Sequence, residues 1–185
     1  MKELMRLFIA INFNEKIKTN LYELTQELKG NITHGHVTHK DNFHLTLVFI
    51  GETKDYEHAR QAMEQAVSSR EIPSFLLNFG GFGRFKGRSG DIYWVGVEPN
   101  PVLTELNQVL VKELRKFEFY IEEREYKPHL TLGRDIKLKQ GFSVNDFEKL
   151  VPEMSMSVRE IGLMKSERIN GKLVYTEIYK KNLMV

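Results

Sequence analysis

Histidine and threonine alternate with leucine twice in this chain, as His44-Leu45-Thr46-Leu47 and again as His129-Leu130-Thr131-Leu132. Along an extended strand, alternate side chains face opposite sides. Each copy therefore puts an imidazole and a hydroxyl on one face and two leucines on the other. The leucines anchor and the polar pair is left to work. A lone His-x-Thr means little, because a satisfied structural histidine explains it as well. Two identical copies carry more. Paired imidazoles divide acid and base roles near neutral pH, and paired hydroxyls donate to the non-bridging oxygens of a group held between them. The group they most naturally frame is a phosphate.

The elements that must hold these strands are legible around them. Residues 6–12 form a short apolar run, a buried strand by pattern. Ile17, Leu21, Leu24 and Leu28 recur at helical spacing through 15–29, with Gly30 as the stop. The first motif strand follows, closed by Gly51-Glu52. A helix is expected over 55–69, strands over 75–79 and 92–97, and a helix from Pro101 to about Phe117, with proline where its missing amide costs little. The second motif strand covers 126–134. A short helix over 144–150 precedes two closing strands, about 155–164 and 172–179, that turn at Asn170-Gly171. This irregular alternation favours α+β over a doubly wound parallel sheet, and the two motifs suggest two lobes. At 185 residues with no Pro- or Ser-rich linker, a single two-lobed domain spanning 1–185 is expected.

Composition excludes several classes. Zero cysteines remove disulfides, thiolate chemistry and the usual zinc-finger ligand sets. No apolar run approaches the roughly 20 residues of a spanning helix, and Met1 to Arg6 lacks a signal-peptide layout, so a cytoplasmic protein without membrane contact is expected. The net charge of +2 does not by itself argue for nucleic acid. Its distribution matters more: Arg84, Lys86 and Arg88, then Lys137 and Lys139, then Lys165, Arg168 and Lys172 form three clusters. If they converge on one cleft they make a track for an RNA end, and otherwise they are solvated surface.

Both motifs, in their settings Asn42-Phe43-His44-Leu45-Thr46-Leu47-Val48-Phe49-Ile50-Gly51-Glu52 and Tyr126-Lys127-Pro128-His129-Leu130-Thr131-Leu132-Gly133-Arg134, resemble the two-histidine phosphoesterases. The likeness is to the RNA 2′,3′-cyclic phosphodiesterase branch, also described as 2′-5′ RNA ligase-like. Met5-Arg6-Leu7-Phe8-Ile9-Ala10-Ile11 is similar to that family's first strand, and Leu163-Met164-Lys165-Ser166 through Tyr175 to its last hairpin, so the likeness spans almost the whole chain. The resemblance implies pseudo-symmetric antiparallel sheets, flanked by helices, around a central cleft. It also implies metal-independent hydrolysis of RNA 2′,3′-cyclic phosphate termini to 2′-phosphates, with His44 the acid that protonates the 3′-oxygen and His129 the base that activates water. The chain departs from many relatives at Val48, where they carry Lys or Arg, whereas Arg134 occupies the comparable neighbourhood of the second motif.

The remaining candidates carry a plain reading beside the functional one. Thr46 and Thr131 are expected to donate to the phosphate. Arg134 is a candidate for the same group, with a surface ion pair as the alternative. Tyr126 and Phe85 are candidates to stack on a base, with core packing as the alternative. His34, His36 and His39 invite a metal, but on a strand the first two share a face and His39 has the opposite parity, so no metal and no cofactor are expected. Gly80-Gly81-Phe82-Gly83-Arg84-Phe85-Lys86-Gly87 has neither G-x-G-x-x-G spacing nor a following G-K-[ST], and reads as a loop at the cleft mouth or a plain connection. The expected partners are RNA with 2′,3′-cyclic phosphate ends or small cyclic nucleotides, acted on by a monomer. ATP-independent 2′-5′ RNA ligation uses the same residues in reverse, and a non-catalytic RNA-end or nucleotide-binding module is the alternative from another class.

Overall fold

The computed structural model describes residues 3–184; Met1 and Lys2 of the opening segment lie outside the described residues. The chain runs β1 (Met5–Asn12), α1 (Glu15–Gly30), β2 (Ile32–Val37), a 3-10 turn (Lys40–Asn42), β3 (His44–Thr53), α2 (Tyr56–Ser69), β4 (Phe75–Phe85) and β5 (Asp91–Val97). It continues through α3 (Pro101–Lys116), β6 (His129–Leu138), α4 (Val144–Glu148), β7 (Met154–Val158), β8 (Glu160–Ile169) and β9 (Lys172–Asn182). Two sheets result, ordered β3-β1-β8-β9 and β2-β6-β5-β4-β7, and every strand pairing within them is antiparallel. This is the expected α+β architecture, with one motif strand in each sheet.

The helices start where short polar side chains can satisfy their first amides. Asn14 accepts from the Ile17 amide and Asn100 from the Leu103 amide, each at 3.0 Å, and Pro101 opens α3. The apolar faces of α1 and α3 are buried. Leu45 and Leu47 of β3 and Leu130 and Leu132 of β6 all join one hydrophobic cluster. The anchoring half of each motif is therefore set in a core common to both lobes.

Four expectations about elements change. Strand β2 was not foreseen, because Ile32-Thr33-His34-Gly35-His36-Val37 has almost no apolar alternation; its register against β6 slips twice, and Gly35 sits at φ +102° against the backbone of Asp135. The expected glycine-rich loop is mostly strand, since β4 runs on to Phe85. A Cβ on Gly83 would collide with the Trp94 ring on β5, so this glycine marks a close cross-strand approach instead of a flexible connection. The single strand expected over 155–164 is two strands in different sheets, β7 against β4 and β8 between β1 and β9. The second motif strand starts at His129, with Tyr126 to Pro128 in the irregular segment before it.

Candidate active site

His44 and Thr46 from β3 and His129 and Thr131 from β6 line one cleft of about 1220 Å³, together with Arg134. The burial pattern of the two tetrapeptides is the same, half-buried for His and Thr and buried for both leucines. The alternation that strand geometry dictates is thus realised on both sides of the cleft.

The alternation then breaks at the same motif position in each lobe. Thr46 pairs with Ala10 and Val48 with Ile9, so Leu47 is an extra residue in β3; Thr131 pairs with Trp94 and Gly133 with Tyr93, so Leu132 is an extra residue in β6. Each is a β-bulge, which re-aims the residues beyond it. Val48 is consequently buried at 4% exposure beside Leu47, and Phe49, the third residue after Thr46, reaches the cleft. Arg134, the third residue after Thr131, does the same. The comparison of Arg134 with Val48 is therefore corrected: the structural counterpart of Arg134 is Phe49. A guanidinium still reaches that side, because Arg6 on the neighbouring strand lines the cleft with its Cζ 5.1 Å from the centre of the Phe49 ring.

The backbone at each bulge is held by contacts from other segments of the chain. The Thr46 carbonyl accepts from the Tyr126 hydroxyl at 3.1 Å, and the Leu47 carbonyl from the Asn107 amide at 2.8 Å. In the other lobe the Thr131 carbonyl accepts from the Thr38 hydroxyl and the Leu132 carbonyl from the Thr38 amide, both at 2.8 Å. A buried carbonyl left without a donor costs about 1–3 kcal/mol, so these contacts keep the bulges in place. Tyr126 is thereby corrected from a base-stacking candidate to a positioning residue. Its ring packs on the core away from the cleft lining, and burial pushes its hydroxyl well above the usual tyrosine pKa.

Both imidazoles are fixed in one tautomer. His44 Nδ1 lies 2.7 Å from the Asn42 carbonyl, and His129 Nδ1 lies 2.7 Å from the Lys127 carbonyl. A carbonyl only accepts, so each Nδ1 carries hydrogen and each Nε2 is left for chemistry. His44 Nε2 stands 2.9 Å from Thr46 Oγ1, close enough to accept its hydroxyl hydrogen. Aromatic rings then strip water from both. Phe8 and Tyr175 lie 4.9 and 5.1 Å from the His44 ring, and Phe85 lies 4.9 Å from the His129 ring, backed by Trp94. Burial is the main cause that lowers the His44 pKa from 6.5 to about 4, with the charges of Arg134 and His129 adding to it against the Asn42 hydrogen bond. Burial and the Arg134 charge lower His129 as well. Both rings are neutral at pH 7 in the free protein.

The other candidates scatter. Arg168 and Lys172 of the third basic cluster line the cleft, as do His36 and His39, but Lys165 is paired with Glu3 and Glu167 and Arg84 with Asp91. Lys139 donates to the Gly30 carbonyl at the end of α1. His39 caps the 3-10 turn, and no group of three or more His, Asp or Glu side chains that could hold a metal occurs among the described residues. No helix among the described residues is long and apolar enough to cross a membrane.

Two antiparallel sheets that bring a His-x-Thr strand each to one cleft define a two-histidine phosphoesterase. The chain belongs to the 2′-5′ RNA ligase superfamily, which matches residues 19–170. It is 32% identical to an RNA 2′,3′-cyclic phosphodiesterase of Thermotoga maritima, over 95% of this chain and 92% of that one. It is 30% identical to one of Archaeoglobus fulgidus, over 88% and 91%. The fold is similar to Escherichia coli LigT crystallised with 3′-AMP, with a TM-score of 0.78 at 25% identity, covering 98% of this chain and 99% of that one.

Proposed function

We propose that the protein hydrolyses RNA 2′,3′-cyclic phosphate ends to 2′-phosphates without a metal cofactor, with His44 as general acid and His129 as general base. The observation that carries this reading is the shared mounting of the two imidazoles, one from each sheet, each with Nδ1 held by a backbone carbonyl so that Nε2 is the nitrogen left for chemistry. With the cyclic phosphate between them, His129 Nε2 takes a proton from water as the water oxygen bonds to phosphorus. The bond from phosphorus to the ribose 3′-oxygen breaks in line, and His44 Nε2 delivers the proton that oxygen needs. Thr46, Thr131 and Arg134 donate to the non-bridging oxygens where charge develops. Names of the two relatives and the nucleotide held by LigT support the same substrate class.

A neutral His44 cannot act as an acid, and the substrate itself supplies the remedy. An anion placed between two desolvated imidazoles favours their charged forms. Once His44 is protonated its Nε2 no longer accepts from Thr46, whose hydroxyl is then free to turn toward the phosphate. The pH dependence follows in sign. Because kcat/KM reports the free enzyme and both free histidines sit below 6.5, its bell should peak on the acid side of pH 6.5. The bell for kcat should lie at higher pH, since bound phosphate raises both values. Rate profiles measured on a cyclic mononucleotide check this, and a kcat/KM that climbs steadily to alkaline pH rules out a histidine acid.

Incubation of a cyclic-phosphate-terminated oligonucleotide with the protein in excess EDTA, followed by phosphorus NMR of the product, tests the whole reading. A 2′-phosphate formed at the rate seen without EDTA is expected. A 3′-phosphate would reverse the assigned geometry, and loss of turnover in EDTA would return attention to His36 and His39 at the cleft. Ligation of a 2′,3′-cyclic phosphate to a 5′-hydroxyl end is the same displacement run with a ribose hydroxyl in place of water, and the same residues would serve it.

A further inference from the structure

Beyond the reacting centre the cleft continues between two segments that the proposed chemistry does not use. One is the β8–β9 hairpin, which contributes Arg168 and Lys172; the other is the stretch from His36 to Asn42 between β2 and β3. Asn42 joins them to the centre. Its carbonyl accepts from His44 Nδ1 at 2.7 Å, and its side-chain amide donates to the Leu173 carbonyl of the hairpin at 2.9 Å. The hairpin is thus tied to the histidine assigned as the acid.

Its cations carry no counter-charge, although Arg168 Nη1 already donates to the Gly171 carbonyl of the same turn at 3.2 Å. Among the described residues neither Arg168 nor Lys172 has a carboxylate within ion-pair distance. Of the acidic side chains on the same walls, Glu167 is engaged by Lys165 at 2.8 Å, and Asp41 is an exposed carboxylate on the facing segment, out of ion-pair reach of either cation. Arg168 pairs with Leu173 on the face of the ribbon that carries Tyr175, and Lys172 sits at the turn, paired with Ile169. Two cations at the cleft rim without ion-pair partners are suited to an anion that arrives with the ligand.

Size and direction identify that anion. A pocket that buries one drug-sized molecule typically measures about 300–1,000 Å³, and this cleft, at about 1220 Å³, has room beyond one nucleotide. Tyr175, at the His44 ring, stands three residues along β9 from Lys172, roughly 10 Å at the rise of an extended strand. Since His44 protonates the ribose 3′-oxygen, the ribose lies on the His44 side and water enters from the His129 side. The hairpin also stands on the His44 side, tied to that histidine through Asn42, so a subsite there requires the 5′ substituent of that ribose to leave toward it.

Resting on the reading of the centre as a cyclic phosphodiesterase, we propose that Arg168 and Lys172 form a second phosphate subsite. It holds the phosphodiester one nucleotide upstream of the reacting end, so the substrate it selects is an RNA 3′ end of at least two nucleotides. The test compares kcat/KM of the full-length protein on three probes: a nucleoside 2′,3′-cyclic phosphate, a dinucleotide ending in the same cyclic phosphate, and that dinucleotide with an uncharged methylphosphonate linkage. Wild type should prefer the charged dinucleotide over the mononucleotide by about 10- to 100-fold, the worth of charge-assisted hydrogen bonds to one phosphate. The preference should shrink with salt and vanish with the neutral linkage. In the Arg168→Ala, Lys172→Ala double variant the ratio of charged to neutral dinucleotide should fall toward one. Equal kcat/KM for the three probes with wild type overturns the subsite and leaves the reacting centre standing, and this arm needs no variant. A charge preference that survives the double variant places the upstream phosphate elsewhere and also overturns it. No turnover of the mononucleotide or either dinucleotide overturns the reading of the centre and this one with it.

Discussion

Replacing His44 or His129 by alanine is expected to lower kcat by roughly 10²–10⁴ each, the usual worth of one general acid or base. Both side chains face the cleft while Leu45, Leu47, Leu130 and Leu132 anchor the same strands at 2% exposure or less. The thermal midpoint should therefore move little compared with that loss, and circular dichroism melts check it. The double variant should lose far less than the product of the single losses, because water cannot be deprotonated usefully when nothing protonates the leaving oxygen. Steady-state rates on a cyclic mononucleotide read all three. Wild-type rates in either single variant would remove that histidine from the chemistry, and strict multiplicativity would show that the two act in separate steps.

The residues of the candidate site were legible because each half of it is written in consecutive residues, and the structure brings both halves to one cleft. His44, Thr46, His129 and Thr131 alternate with leucine, and alternation is what a strand reads. The bulges were not legible. Leu47-Val48 and Leu132-Gly133 give no sign in composition that one extra residue is inserted, since a bulge is decided by what the partner strand and its surroundings accept. That hid the exchange of Val48 for Phe49 as the counterpart of Arg134. It also hid Arg6, whose place at the cleft depends on β1 lying beside β3. Asn107 and Thr38, and the hold of Tyr126 on the Thr46 carbonyl, were missed for the same reason: they reach the motif backbone from α3, the segment after β2 and the segment before β6, and such contacts exist only once the chain has folded. The glycine-rich stretch misled in the opposite direction. Gly83 suggested freedom, yet its lack of a Cβ makes space for the Trp94 ring, which backs Phe85 beside His129. A pattern of small residues states only that something comes close, and the approaching group is named by the partner strand.

Arg134→Ala is expected to cost about 10²–10³ in kcat/KM, comparable to removing one donor from a preorganised site that stabilises developing charge. The side chain is placed for it: its charge acts on His44, His129 and Tyr175 together, lining the cleft from the residue that the second bulge turns inward. Two substitutions separate charge from shape. Arg134 lowers the pKa of both histidines, so alanine should let both rise toward the ordinary 6.5, and the kcat/KM bell should move to higher pH as the rate falls. Lysine keeps a positive charge in the region, so the bell should stay near its wild-type position. The rate should still drop, because a point charge does not reproduce a planar fork that donates two parallel hydrogen bonds to phosphate oxygens. Arg6, standing over Phe49 on the other side, still lines the cleft, which explains why the loss should be partial. Complete pH profiles of both variants on a cyclic mononucleotide decide the matter. A lysine variant with wild-type kcat/KM reduces Arg134 to a source of field, and an alanine variant with wild-type rate and an unmoved bell removes it from the site.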